Sequence, residues 1–399
     1  MNGGPPGVVA PGRALLLLGV ILVAVNLRPV MTATGPLIGE IRADTGLDAA
    51  AAGLIAALPV LCFGLFSAFV PRFGRRFGLE EVLMVAMLAL AAGILLRLIP
   101  GSFPLFAGTA LLGTAIAFSN VLLPAVTKRS FSLSGKRVSG MYVAVLGLSA
   151  TLASAVAIPL SETWLGWRGT LALWAIPALL AAVAWAELVR RRPVHHPPAP
   201  RVAGIRALVR SRLAVAVMLF MAAQAFAFYV VLTWLTEILI ATGIDQVDAG
   251  LIFAFSLLLG VVPIVALSVF GDRVRDDRVL VLAAGSSTAA GLAGLLVFGS
   301  DGAIVSASAI GVGQGASFAL GLTFFVSRSS SHEMSAELSG TGQSVAYLIA
   351  AAGPVVAGLV HDGASSWNPV LVMVLAVIVV QVAIGMEAGR PATIAEEEL

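Results

Sequence analysis

Runs of about 20 predominantly apolar residues, each long enough to cross a hydrocarbon core as a helix, follow one another twelve times along the chain. They lie at roughly 13 to 38, 48 to 70, 79 to 99, 103 to 127, 138 to 160, 168 to 189, 213 to 240, 247 to 270, 279 to 299, 302 to 327, 338 to 360 and 367 to 387. In lipid every backbone N–H and C=O must be satisfied within the protein, which favours helices for runs of this length. Only 11% of the 399 residues are charged, against about 25% in a soluble domain. The expectation is an all-α integral membrane protein of twelve transmembrane helices. The first run resembles a signal-peptide core, but it continues past Arg28 to about Ile38 and eleven more follow, so it reads as a retained helix.

The longest break is RRRPVHHPPAPRVAGIRALVRSR, residues 190 to 212, a solvated proline- and arginine-rich linker ending in a candidate short basic amphipathic helix. It divides the chain into residues 1–189, the linker, and residues 213–399, six spans on each side. With a cytoplasmic N-terminus, every one of the 24 Lys and Arg residues except Arg28, Arg42, Arg97 and Arg168 falls on the cytoplasmic side. The expected location is therefore the bacterial cytoplasmic membrane, multi-pass, with both termini cytoplasmic. The basic balance points to anionic lipid rather than nucleic acid.

Cys62 is the sole cysteine and the four histidines lack ligand spacing, which excludes an intramolecular disulfide and a cysteine metal site. No nucleotide loop of the form G-x-x-x-x-G-K-[ST] and no nucleophile constellation occurs, so neither an enzyme, an ATP-driven pump nor a cofactor is expected.

SAFVPRFGRRFGLEEVL after span 2 and LSVFGDRVRDDRVLVL after span 8 occupy equivalent loops, which implies an internal repeat. Two six-span halves with a basic loop at the same place in each resemble the major facilitator superfamily, whose loop pattern is G-x-x-x-D-R-x-G-R-R. The first copy keeps Arg72, Gly74, Arg75 and Arg76 with Pro71 in place of the Asp, and the second keeps Gly271, Asp272, Arg273 and Arg275. The resemblance implies gating roles for Arg72, Arg75, Asp272 and Arg273, with the Asp locking the outward-facing state. NLRP in span 1, NVLLPAVTKRSF in span 4, FYVVLTWLTEIL in span 7, GQGASF in span 10 and LSGTGQSVAYLIAAAGPVVAGLVHD in span 11 further resemble the cyanate and 2-nitroimidazole porter family. Thr236 stands where that family more usually has proline, and Ala225 where serine is common. The family resemblance implies carriage of small, often anionic or weakly acidic organic compounds, with spans 1, 4, 7 and 10 around a central cavity.

Arg28 lies roughly 22 Å into span 1, at 1.5 Å per residue, and is followed by Pro29. A mid-membrane arginine normally faces a bundle interior or an aqueous cavity. It either contacts ligand there or bonds carbonyls freed at the proline, and its depth favours ligand. A guanidinium is a permanent cation with a planar fork suited to a carboxylate. No Asp or Glu lies at mid-membrane depth in any span, since Glu40, Glu162, Glu237 and Asp362 all fall near outer ends. The expected countercharge is thus a small organic anion. The same absence weakens a carboxylate proton relay and leaves exchange, facilitated movement, or a coupling proton carried by another route.

Neutral polar and aromatic residues complete the candidate site: Asn120, Gln224, Tyr229, Gln314, Phe318, Gln343 and Tyr347. Tyr229 is the repeat mate of Arg28, and Phe318 shares a helix face with Gln314. For the glutamines the competing role is interhelical bonding, and for Asn120 it is capping backbone disturbed by Pro124. Lys128 and Arg129 end span 4 as topology determinants or gate residues. Trp164, Trp167 and Trp367 read as membrane-interface anchors.

The leading function is a monomeric secondary carrier for a small organic anion or weak acid working by alternating access. An exporter of small neutral or heteroaromatic compounds such as nitroimidazoles is the alternative. A non-transporting membrane sensor would require a soluble domain larger than the linker.

Overall fold

The computed structural model describes residues 13–67, 69–131, 135–190, 208, 210–270, 274, 276–330 and 332–394. Among them twelve helices or helix pairs are long and apolar enough to cross a membrane. The protein is a multi-pass, all-α membrane protein. Span 1 is Arg13–Asn26 continued by Pro29–Thr32; spans 2 to 5 are Ala49–Phe66, Leu79–Leu96, Ser102–Ser130 and Gly135–Ser161. Span 6 is Gly166–Ala172 continued by Ala175–Arg190, and spans 7 to 9 are Arg212–Ala241, Gln246–Phe270 and Asp277–Phe298. Spans 10 to 12 are Ala303–Ser327, His332–Ala364 and Asn368–Ala388. Two shorter helices, Ile38–Thr45 and Val70–Phe77, follow spans 1 and 2. The expected amphipathic helix of the linker lies outside the described residues.

One expectation is corrected at span 1. The apolar run from 13 to 38 is not a single helix: it breaks at Leu27 and Arg28, resumes for one turn, and turns again over residues 33–37. Pro29 supplies the reason. It has no N–H to donate and its ring disfavours helical geometry in the residue before it, yet it suits the first position of a new helix.

Large apolar side chains such as Val85, Val183, Val297, Val305 and Val379 are exposed on the outer surface, where lipid rather than water is the solvent. The interior instead brings helices together through small residues. Spans 2 and 11 pack along much of span 2, and spans 5 and 8 form the second seam between the first six and the last six spans. A Cβ on Gly53 would collide with the Pro354 carbonyl, and one on Gly358 with the Ala49 carbonyl, so these glycines set how closely spans 2 and 11 approach.

The two expected loop positions carry matching ion pairs. Glu80 at the start of span 3 pairs with Arg129 at the end of span 4, and Asp277 at the start of span 9 pairs with Arg328 at the end of span 10. Arg328 also donates from Nε to the Ala388 carbonyl at 2.9 Å and from Nη2 to the Gly389 carbonyl at 3.2 Å, tying in the end of span 12. Repetition of acid and base at equivalent ends is a structural echo of the repeat. These residues mark what is called below the basic face.

On the opposite face the first and last six spans are joined by polar contacts. Glu40 accepts from Ser161 Oγ at 2.6 Å and from Gln246 Nε2 at 3.0 Å, and Asp362 accepts from the Ala50 amide at 3.1 Å. The Arg168–Asp44 ion pair belongs to the same face.

Candidate functional site

The break in span 1 presents Arg28 from irregular backbone, with φ −116° and ψ −39°. Its carbonyl accepts the amides of Met31 and Thr32, both at 3.0 Å, and the Thr32 hydroxyl at 3.2 Å. That hydroxyl also reaches the Ala150 carbonyl of span 5 at 3.1 Å, and Asn26 Nδ2 donates to the Leu22 carbonyl at 2.6 Å. Across the break the Leu27 amide donates to the Ala24 carbonyl at 3.3 Å. The half-buried guanidinium makes no hydrogen bond or ion pair with another described residue.

Two phenols from the last six spans lie near this cation. Tyr229 of span 7 and Tyr347 of span 11 are both buried and both lie within electrostatic range of Arg28. Their rings meet edge to face at 6.4 Å between centroids. Phe63 of span 2 packs on Tyr347 at 4.4 Å and Phe228 on Tyr229 at 5.4 Å. The result is a cation beside an aromatic wall drawn from spans 1, 2, 7 and 11. Chemically, such a wall can stack a flat ligand while the guanidinium holds its anionic or electron-rich end.

The remaining candidates are dispersed. Gln224 donates from Nε2 to Gln314 Oε1 at 3.2 Å, and both are almost fully buried, so they bond one another between spans 7 and 10. Gln314 Nε2 is buried without a partner. Phe318 packs against the apolar cluster around Met218 and Phe324. Gln343 Nε2 donates to Ser339 Oγ at 2.8 Å, and Asn120 Nδ2 to the Ile116 carbonyl at 3.1 Å, each one turn back on its own helix. No contact joins Asn120, Phe318 or Gln343 to Arg28 among the described residues.

A Major Facilitator Superfamily profile matches residues 16–354. The chain belongs to that superfamily. It is a membrane transporter and not an enzyme. It is 36% identical over 378 residues to the 2-nitroimidazole transporter of Escherichia coli strain K12, covering 95% of this chain and 96% of that one. To the cyanate transport protein of the same organism it is 26% identical over 351 residues, covering 87% and 90%. Among solved structures, a bacterial homologue of the human lysosomal transporter Spinster, in an inward-facing and occupied conformation, superposes with a TM-score of 0.78. That likeness spans 97% of this chain and 98% of the other at 13% identity, and it bears on the fold alone.

Of the superfamily's expected gating residues, Arg72 is exposed and stacks over Phe69 at 5.6 Å, while Arg129 is held by Glu80 within the first six spans. Arg75 lies in the helix Val70–Phe77 and Lys128 in span 4. Asp272 and Arg273 lie outside the described residues. Trp164 is exposed as expected of an interface anchor, but Trp167 and Trp367 are not anchors. Trp167 is buried under Arg168, and Trp367 is packed between Trp234 and His361. Phe63 was not legible as a site residue, because a lone phenylalanine in an apolar run has the same pattern as any lipid- or core-facing one. Arg97 was likewise hidden: at a span end it reads as a headgroup contact, yet it is only 3% exposed.

Proposed function

We propose that this transporter moves a small organic anion or weak acid by alternating access, with Arg28 as its central anion-binding residue. One observation carries the reading: the Arg28 guanidinium sits beside Tyr229 and Tyr347 with no carboxylate paired to it among the described residues. A cation left without a protein counterion in a membrane interior is matched by an anionic ligand. The first and last six spans rock about this point as two units joined by the 190–212 linker, and the monomer is the working unit. Exchange or facilitated movement requires no proton, and any coupling proton travels without a mid-membrane carboxylate. The protein resides in a bacterial cytoplasmic membrane with both termini and the basic face cytoplasmic.

The test is the series R28K and R28Q, read in ligand affinity and in the melting temperature without ligand. R28K keeps the charge but loses the planar fork; R28Q loses both. Truncating one member of a buried charged pair typically costs about 2 to 5 kcal/mol, so R28Q should bind a small carboxylate ligand roughly 30-fold or more weakly, with R28K between. Ligand-free stability should stay level or rise, because an unpaired, half-buried charge has gone. Normal binding by R28Q together with a clearly lower melting temperature would make Arg28 a brace for the Pro29 break.

The aromatic wall supports a second reading, export of a neutral heteroaromatic compound, as does the similarity to a 2-nitroimidazole transporter. Here Arg28 polarises a nitro or carbonyl oxygen. The two readings part in F63A: losing the stacking surface should weaken a nitroheterocycle more than an aliphatic carboxylate.

A further inference from the structure

Arg97 is the C-cap of span 3 and is 3% exposed, with its Nε and Nη2 buried and unpartnered. No ion pair joins it to a carboxylate among the described residues. Its stem lies against Gly108 of span 4, and its side chain lines a cavity of about 20 Å³ between spans 1, 2, 4 and 7. That volume holds about one water-sized particle, far too little for an organic substrate. Three threonines share the lining: Thr34, Thr109 and Thr233.

We propose that Arg97 heads a second site, for one small monatomic anion such as chloride, distinct from the Arg28 site. Charge comes first. A buried guanidinium with two idle nitrogens carries a large desolvation penalty, and a small anion on those nitrogens offsets it. Donors come next. Each threonine hydroxyl now donates to the carbonyl four residues earlier, at 2.7 Å in all three cases. For Thr109 and Thr233, inside regular helices, that carbonyl also serves a backbone amide, so turning the hydroxyl toward an anion leaves it satisfied. Position comes last. Gly35 brings span 1 onto the backbone of span 7, where a Cβ would collide with the Leu232 carbonyl, and Leu232 and Thr233 close the cavity from the last six spans. The site is therefore complete only while this joint is shut.

The experiment is equilibrium binding of radiolabelled chloride to the purified full-length protein in gluconate buffer. The expected result is one saturable site per chain, displaced by unlabelled chloride and not by gluconate. It should be abolished in R97M, retained in R28Q, and weakened roughly tenfold in T233V, the worth of about one hydrogen bond to a charged group. T233V keeps the arginine and serves if R97M fails to fold. Absence of saturable chloride binding in the parent protein would overturn the proposal and leave the cavity to water. Binding that survives R97M but vanishes in R28Q would also overturn it, by moving the ion to the central site. The Arg28 reading is tested separately, since its organic ligand should still bind R97M.

Discussion

Gln224 and Gln314 bond to each other inside the last six spans, 3.2 Å apart, while Gln314 Nε2 has no partner. Deleting one member of such a pair strands the other, whereas deleting both removes the demand altogether. A buried polar group left unsatisfied costs about 1 to 3 kcal/mol. Q224L and Q314L should each lower the ligand-free melting temperature, and the double variant should recover most of that loss. Additive losses would show that the bond is not what holds them. Either glutamine being a ligand contact instead predicts weakened substrate binding in the double variant despite its recovered stability. This pair also shows what a sequence conceals. Mid-span glutamine reads equally as ligand contact or interhelical bond, because both need a buried amide and only the partner's position separates them. Arg28 was legible since its depth forbids snorkelling. Arg97 was not, since a cation at a span end normally reaches water, and only the packing of Gly108 and spans 1, 2 and 7 over it removes that option.

At the scale of the element, hydrophobic runs located every span, while the discontinuity within the first was foreshadowed only by Pro29. Uninterrupted apolarity is required of any segment in lipid, helical or not, so hydropathy is silent about a break within it. Polar side chains flank this one, with Asn26 donating to the Leu22 carbonyl and Thr32 to the Arg28 and Pro29 carbonyls. If the break aims Arg28 at Tyr229 and Tyr347, P29A should let helix run through residues 26–32 and swing the guanidinium away. Substrate affinity should then fall roughly tenfold, comparable to losing one charged hydrogen bond, with ligand-free stability level or raised. Unchanged affinity in P29A, measured beside R28K, would mean that the break does not position the arginine.

Taken as a whole, the molecule has polar contacts between its first and last six spans on the face opposite the basic one, and the residues that make them come from distant parts of the chain. Their joint role was invisible in sequence because Glu40, Ser161 and Gln246 are ordinary polar residues at span ends, brought together only by the seam between spans 5 and 8. The proposed alternating access requires this face to part, and the Glu40 contacts would then act as a latch whose strength sets how often it opens. Of the two bonds only that from Gln246 crosses between the first and last six spans, and one hydrogen bond to a carboxylate contributes about 1.5 to 3 kcal/mol, so E40A should raise the population open on this face by roughly 10- to 150-fold. The readout is the labelling rate of a cysteine at Ala50, beside the Asp362 contact, by an impermeant thiol reagent in intact cells. E40Q keeps an acceptor oxygen and should fall between E40A and the parent. Cysteines at the exposed Ser365 and Arg390 calibrate the measurement: the first should label from outside and the second should not. The reverse pattern would invert the orientation of the whole chain. With that pattern as expected, an unchanged rate at Ala50 in E40A would mean that the apolar packing of spans 2 and 11 alone holds the face closed, and that the latch lies in Gly53 and Gly358 rather than in Glu40.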